Sequence, residues 1–355
     1  MLRTFQGDPN MRAIVQFLVS IGVLLAAAGP GYAEDQVTVR LKWLHQAQFA
    51  GYYVAKDKGY YTAAGLDVSI QPGGSDFPSI QMVAGGSEQF GVTGADQILI
   101  ARSKGVPVVS VAVIYRENPF VLFALKKSGI TKASDLSGHN IGFKIGGSDE
   151  LMYRAILKGA KVDKSSLHEM PVKFDMSPLL TGQVDVWPGY VINEVIAAEE
   201  KGFDVSIIRP ADYGVKMYAD TLFTTERMLK EHPELVKKFV AATIHGWTDA
   251  LDDAEGAART TLKFGNKLEY AHELAMMKAS IPLVKAGSGP IGFSTEADWE
   301  NMQAMLIEAG FQKSKVDVGK AFTNDELPKL ICAQWVCRWI AARPNRTRVW
   351  FLPTM

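Results

Sequence analysis

The feature that most constrains this chain is an alternation of strand-patterned and helix-patterned runs, which passes once through residues 37–115 and begins again at Phe120. VTVRLKW (37–43) sets Val37, Val39, Leu41 and Trp43 at alternate positions, the spacing of a half-buried strand. Helical residues over 49–58 stop at Gly59, a residue suited to a left-handed cap. LDVSIQ (66–71) gives a second strand. A helix over 77–84, a strand over 89–94, a helix over 95–105 and the apolar run VPVVSVAVIY (106–115) come next. A β-α-β-α-β order of this kind builds a mostly parallel sheet covered on both faces.

The second pass has strands over 120–125 and 140–145, and Ser148 is expected to cap a helix reaching Lys158, with Asp149 and Glu150 in its first turn. Further strands are read over 168–172, 185–187 and 204–209, separated by helices over 176–181 and 191–201. From Thr224 onward the pattern is almost wholly helical, with helices over 270–283 and 295–309. The expected architecture is α/β with two lobes. Residues 34–119 begin lobe one, 120–220 form lobe two, and 221–330 return to lobe one as a mainly helical segment. The crossings are expected near 118–121 and 218–223.

Both ends of the chain differ from this body. Arg12 precedes an apolar run from Ile14 to Ala28 and then Gly29, Pro30, Gly31 and Ala33, the order of a cleaved secretory signal over residues 1–33. Residues 331–355 carry three of the seven tryptophans and four arginines with no acid, an atypical tail. Without the two bases and one acid of the signal and the four arginines of the tail, 32 basic and 37 acidic residues remain. A body this acidic does not suggest a nucleic-acid partner. Both cysteines, Cys332 and Cys337, lie in the tail, so the body has no disulfide or thiolate metal site.

In open α/β sheets, ligands bind beyond the carboxyl ends of the strands. After the first strand come Trp43, Gln46, Gln48 and Tyr52, after the third Asp96, and after the fourth Tyr115, Arg116 and Asn118. The second pass offers Gly146 and Ser148, then Trp187, Tyr190, Asn193 and Glu194. Rings, amides and carboxylates dominate. Each also has a plain structural reading: Trp43 or Tyr52 as core, Asp96 as a cap, Glu194 as a first-turn acid. Their convergence on one edge favours a binding site. No GxSxG, HExxH, GxxxxGK[ST] or GxGxxG motif occurs, and the six histidines show no ligand-pair spacing. No catalytic residues, metal or cofactor are expected.

WLHQAQFAGYYVAKDKGYYTAAGLDV, FGVTGADQILIARSKGVPVVSVA, ASDLSGHNIGF and VDVWPGYVINEVIAAEEKG together resemble the periplasmic solute-binding proteins related to the yeast thiamine-pyrimidine synthases. The resemblance runs from Val37 to Leu330. It implies a two-lobed, hinge-closing periplasmic binding protein of the type II kind, serving an ABC permease in the inner membrane as a monomer. It further implies an aminopyrimidine thiamine precursor as ligand, with Trp43 as a stacking shelf, Tyr190 as the opposing ring, and Asp96, Asn193 and Glu194 as polar contacts. The synthases carry a cysteine-rich motif that this body lacks, so no enzyme is expected. With Asp96 and Glu194 the cleft is expected to be acidic, which disfavours an anion; Arg116 and the Gly146-Gly147-Ser148 turn keep one open. Flavins, sulfonates and aromatic acids are the alternative solutes, and an enzyme acting on a pyrimidine is the alternative class.

Overall fold

A computed structural model describes residues 34–74 and 76–329, so the expected signal and the atypical tail lie outside the described residues. The chain opens with strands β1 (Asp35–Arg40), β2 (Leu66–Gln71), β3 (Phe90–Gly94) and β4 (Val108–Val113). Next come β5 (Phe120–Leu125), β6 (Asn140–Phe143), β7 (His168–Pro171), β8 (Val186–Tyr190) and β9 (Val205–Ile208), and then β10 (Asp220–Thr225). They form two five-stranded sheets, ordered β2-β1-β3-β10-β4 and β7-β6-β8-β5-β9.

Each sheet is mixed. β1 is parallel to β2 and β3, but β10 runs antiparallel between β3 and β4. In the second sheet β6 is parallel to β7 and β8, and β5 runs antiparallel between β8 and β9. This corrects the reading of 218–223 as a crossing alone. From Asp220 to Thr224 every residue of β10 is buried, because the strand fills an interior place in the first sheet. The chain therefore leaves that sheet after β4 and re-enters it far downstream.

Burial tracks the sequence pattern. β3 and β4 are buried at every position, as strands covered on both faces must be. The helix Pro233–Asp252 buries Val236, Phe239, Val240, Thr243, Trp247, Ala250 and Leu251, an i, i+3, i+4 stripe. It crosses the helix Ala50–Asp57 so closely that both need glycine: a Cβ on Gly51 would stand 2.2 Å from the Trp247 ring, and one on Gly246 would stand 2.2 Å from the Gly51 carbonyl. This crossing anchors the helix just after Trp43–Gln48, so the segment between is held at both ends. A second core joins the sheets, bringing Val113 and Phe223 together with Phe120, Ile141 and Val186.

Candidate functional site

A cleft of about 380 Å³ opens where the carboxyl ends of β1, β6 and β8 meet. The first sheet supplies Lys42, Trp43, Gln46 and Gln48. The second supplies Lys144 to Asp149, then Tyr190, Asn193 and Glu194, and the loop after β7 adds Phe174. Trp43 and Phe174 are in direct contact at the mouth, with ring centroids 4.4 Å apart and planes inclined by 58°, and together form one apolar wall. The Trp43 backbone is fixed by the loop after β2: Gly73 N donates to the Trp43 carbonyl at 2.8 Å, and a Cβ at Gly73 would stand 1.9 Å from the Leu41 carbonyl. Only glycine fits there.

The floor is a chain of polar side chains. Lys42 Nζ donates to Tyr190 Oη at 3.0 Å and to Asp220 Oδ1 at 3.1 Å. Gln48 Nε2 donates to the other Asp220 oxygen at 2.8 Å, and Gln46 Nε2 donates to Gln48 Oε1 at 2.6 Å. Burial opposes the Lys42 charge, but the Asp220 carboxylate and the Tyr190 hydroxyl outweigh it and hold the ammonium above the ordinary lysine range. Two of its three N–H bonds have these partners, which leaves one to offer a ligand. On the facing wall, Lys144 lies 3.0 Å from Asp149 and 3.8 Å from Glu194. Its charge is likewise opposed by burial and held up by those two acids. Glu194 also accepts from Tyr190 N at 2.8 Å, which ties the β8 turn to the cleft.

Several polar bonds join the walls. Ser148 Oγ reaches Asp96 at 2.9 and 2.7 Å, one distance to each carboxylate oxygen, and the Asp96 carboxylate also accepts from Gln97 at 2.6 Å. His272, on the helix Tyr270–Val284, places Nε2 3.1 Å from Asn193 Oδ1 and Nδ1 2.9 Å from Glu200. Among the described residues no group of three His, Cys, Asp or Glu could hold a metal ion.

Of the thirteen residues read as candidates, Trp43, Gln46, Gln48, Gly146, Ser148, Tyr190, Asn193 and Glu194 line the cleft. Asp96 lies behind the lining, beneath Ser148. Tyr52, Tyr115 and Trp187 do not reach it. Tyr52 and Tyr115 set their ring edges against Trp247 in the first core, and the Tyr115 hydroxyl donates to the Gln48 carbonyl. Trp187 is on β8 but packs with Val121, Phe123 and Leu179 in a separate core, on the far side from the cleft-lining groups. Asn118 lines a second pocket, and its Oδ1 accepts from Phe120 N at 3.0 Å. Ser148 is not the helix cap: Gly146 precedes the helix Gly147–Gly159, and the hydroxyl goes to Asp96 instead. The expected acidic cleft is corrected by Lys42 and Lys144, which stand two residues after β1 and one after β6, near the strand-end position that singled out Trp43. Phe174 has no comparable signal in its loop.

Burial raises the Asp96 carboxyl above 3.8, although Gln97 and Ser148 oppose this, and it raises Glu273 above 4.5 against the Ala47 N–H. Both groups therefore hold protons more tightly when folded. Their contribution to stability is full below the unfolded values and is lost as pH rises through the higher folded ones. The double variant Asp96→Asn/Glu273→Gln removes that loss. Its melting temperature should gain on the parent as the pH rises above about 4. A constant difference across that rise would refute the linkage.

The family described as NMT1/THI5 like matches residues 46–257, more than half of the chain and both walls of the cleft. The chain belongs to the NMT1/THI5-like family. It is 28% identical over 312 residues to the riboflavin-binding protein RibY of Chloroflexus aurantiacus, covering 83% of this chain and 86% of that protein. It is 27% identical over 323 residues to the formylaminopyrimidine-binding protein of Halalkalibacterium halodurans, covering 88% and 98%. Other relatives are named 4-amino-5-hydroxymethyl-2-methylpyrimidine phosphate synthases, so the NMT1/THI5-like relatives include binding proteins and enzymes. The periplasmic aliphatic sulphonate binding protein SsuA of Escherichia coli superposes with a TM-score of 0.65 at 14% identity, over 90% of this chain and 97% of that one. That likeness shows the fold: this NMT1/THI5-like chain has the architecture of periplasmic binding proteins.

Proposed function

We propose that this protein is the periplasmic solute-binding component of an ABC importer, and that it holds a thiamine-precursor aminopyrimidine between its two lobes. The observation that carries the reading is the cleft itself, with the touching rings of Trp43 and Phe174 as an apolar wall over a floor of paired donors and acceptors. A flat heterocycle offers faces to the rings and an edge to the floor. An exocyclic amine donates to a carboxylate such as Glu194, and ring nitrogens accept from Lys42 or Lys144. Each hydrogen bond to a charged group contributes about 1.5–3 kcal/mol, so two of them span the interval from millimolar to micromolar affinity. The relative that binds formylaminopyrimidine, matched along almost its whole length, supports the same ligand class.

A second solute class is favoured by one observation. Phe174 is 50% exposed and Ile145 is 73% exposed, so the mouth is more apolar and open than a single pyrimidine ring requires. A larger ring system such as a flavin would cover them, in line with the riboflavin-binding relative.

Calorimetry on ligand-stripped protein with formylaminopyrimidine and riboflavin separates these readings. Tight binding of formylaminopyrimidine, with the compound recovered unchanged by mass spectrometry, is the expected result. Tight binding of riboflavin alone would replace the ligand, and a chemically altered product would replace the binding role with an enzymatic one. Glu194→Gln should weaken formylaminopyrimidine about tenfold, the loss of one charge-assisted hydrogen bond. An unchanged dissociation constant would remove Glu194 from the contact set.

A further inference from the structure

A second pocket, of about 440 Å³, lies outside the cleft and contains none of the cleft-lining residues. Two of its walls are the segments that carry the chain between the sheets, Arg116–Val121, from β4 into β5, and Arg209–Tyr218, from β9 back to β10, and residues between 286 and 302 close the remaining side. The floor is apolar and buried, made by Phe120, Val215, Met217 and Met302. Around it stand three cations, Arg116, Arg209 and Lys216.

None of the three is in an ion pair among the described residues. Among the described residues Arg116 donates only to carbonyls, those of Val284, Ser288 and Gly289, which leave its charge uncompensated. Two acids also line the pocket. One oxygen of Asp298, Oδ2, accepts from the hydroxyls of Tyr218 and Thr295 at the start of its helix, and Glu117 is exposed at the rim. Three cations against two acids leave the rim net positive over an apolar floor. We infer that this pocket is a second binding site, for a small organic anion with an apolar body, such as an aromatic monocarboxylate. The body would replace water on the floor while the carboxylate meets Arg209 and Lys216. Because both crossings form walls, an occupant touches the two segments whose geometry sets how the sheets sit together. The inference does not depend on which solute the cleft binds.

The test is calorimetry on the whole protein with 2-naphthoate as probe and the neutral 2-naphthamide as control. Naphthoate should bind at least about tenfold more tightly than the amide, and Arg209→Glu/Lys216→Glu should weaken it by at least about tenfold. Both side chains are exposed, so an unchanged melting temperature is expected and certifies that the charge-reversed protein is folded. Trp43→Ala should leave naphthoate binding as it is. The inference is overturned by equal affinity for acid and amide, by indifference to the charge reversal, or by no binding at about 5 mM, a limit near 3 kcal/mol of affinity. Loss of naphthoate binding in Trp43→Ala would also overturn it by assigning the probe to the cleft.

Discussion

Replacing Asp220 with alanine is expected to destabilise the protein by about 3–5 kcal/mol, measured as the shift in its denaturant unfolding midpoint. Asp220 is 1% exposed, and its two oxygens answer the Lys42 ammonium and the Gln48 amide. Removing it strands a lysine in a half-buried site with only the Tyr190 hydroxyl as partner, and leaves a buried amide N–H unanswered. Both costs fall on the folded state. Lys42→Met on its own should also destabilise, because it leaves the carboxylate buried with one hydrogen bond. The pair Asp220→Ala/Lys42→Met removes both charges and should recover much of the loss, since a buried ion pair is often no better than an apolar pair of similar size. A single-variant loss below about 1 kcal/mol, or a double variant as unstable as the sum of the two, would show that the pair is not coupled.

Asp220 also marks the limit of what local sequence pattern can reveal. Strands with a dense apolar or alternating pattern are legible: LDVSIQ and FVLFAL cover the same residues that form β2 and β5. β10 is not: four of the six residues of DTLFTT are polar, and its partners, Gly91–Gly94 and Val108–Val113, lie more than a hundred residues upstream. The antiparallel insertion puts the first residue of β10, rather than its last, at the cleft edge. Looking only at the residues just beyond each strand's carboxyl end therefore passes over Asp220.

The same limit governs the charges. Asp96 and Glu194 can be read individually from the sequence, but whether they make a cleft acidic depends on which cations the fold sets beside them. Lys144 stands near Glu194, and Lys42 near Asp220. Rings show the complementary failure. Trp43 and Trp187 lie after and within strands, where alternation cannot say which of two buried faces a ring enters, and Tyr52 lies on the helix Ala50–Asp57, whose packing partner is remote in the chain. The close packing of Gly51 and Gly246 draws Trp247 against Tyr52 and makes that ring core, while Trp43 lies earlier in the chain and stays at the mouth.

That difference is what the largest expected effect on binding tests. Trp43→Ala should weaken the cleft ligand by at least about thirtyfold, near 2 kcal/mol, the loss typical of a buried aromatic anchor at the centre of a contact. Part of the ring rests on the first core, so a stability loss of up to about 2 kcal/mol accompanies it. Phe174→Ala separates the two contributions. That side chain is half exposed and contributes little to the core, so its removal should weaken the ligand while changing stability by no more than about 0.5 kcal/mol. If a planar ligand packs against both rings, both variants lose affinity and the protein stays folded. If Trp43→Ala lowers the melting temperature and leaves affinity intact, the ring belongs to the core and the ligand is held by the polar floor alone.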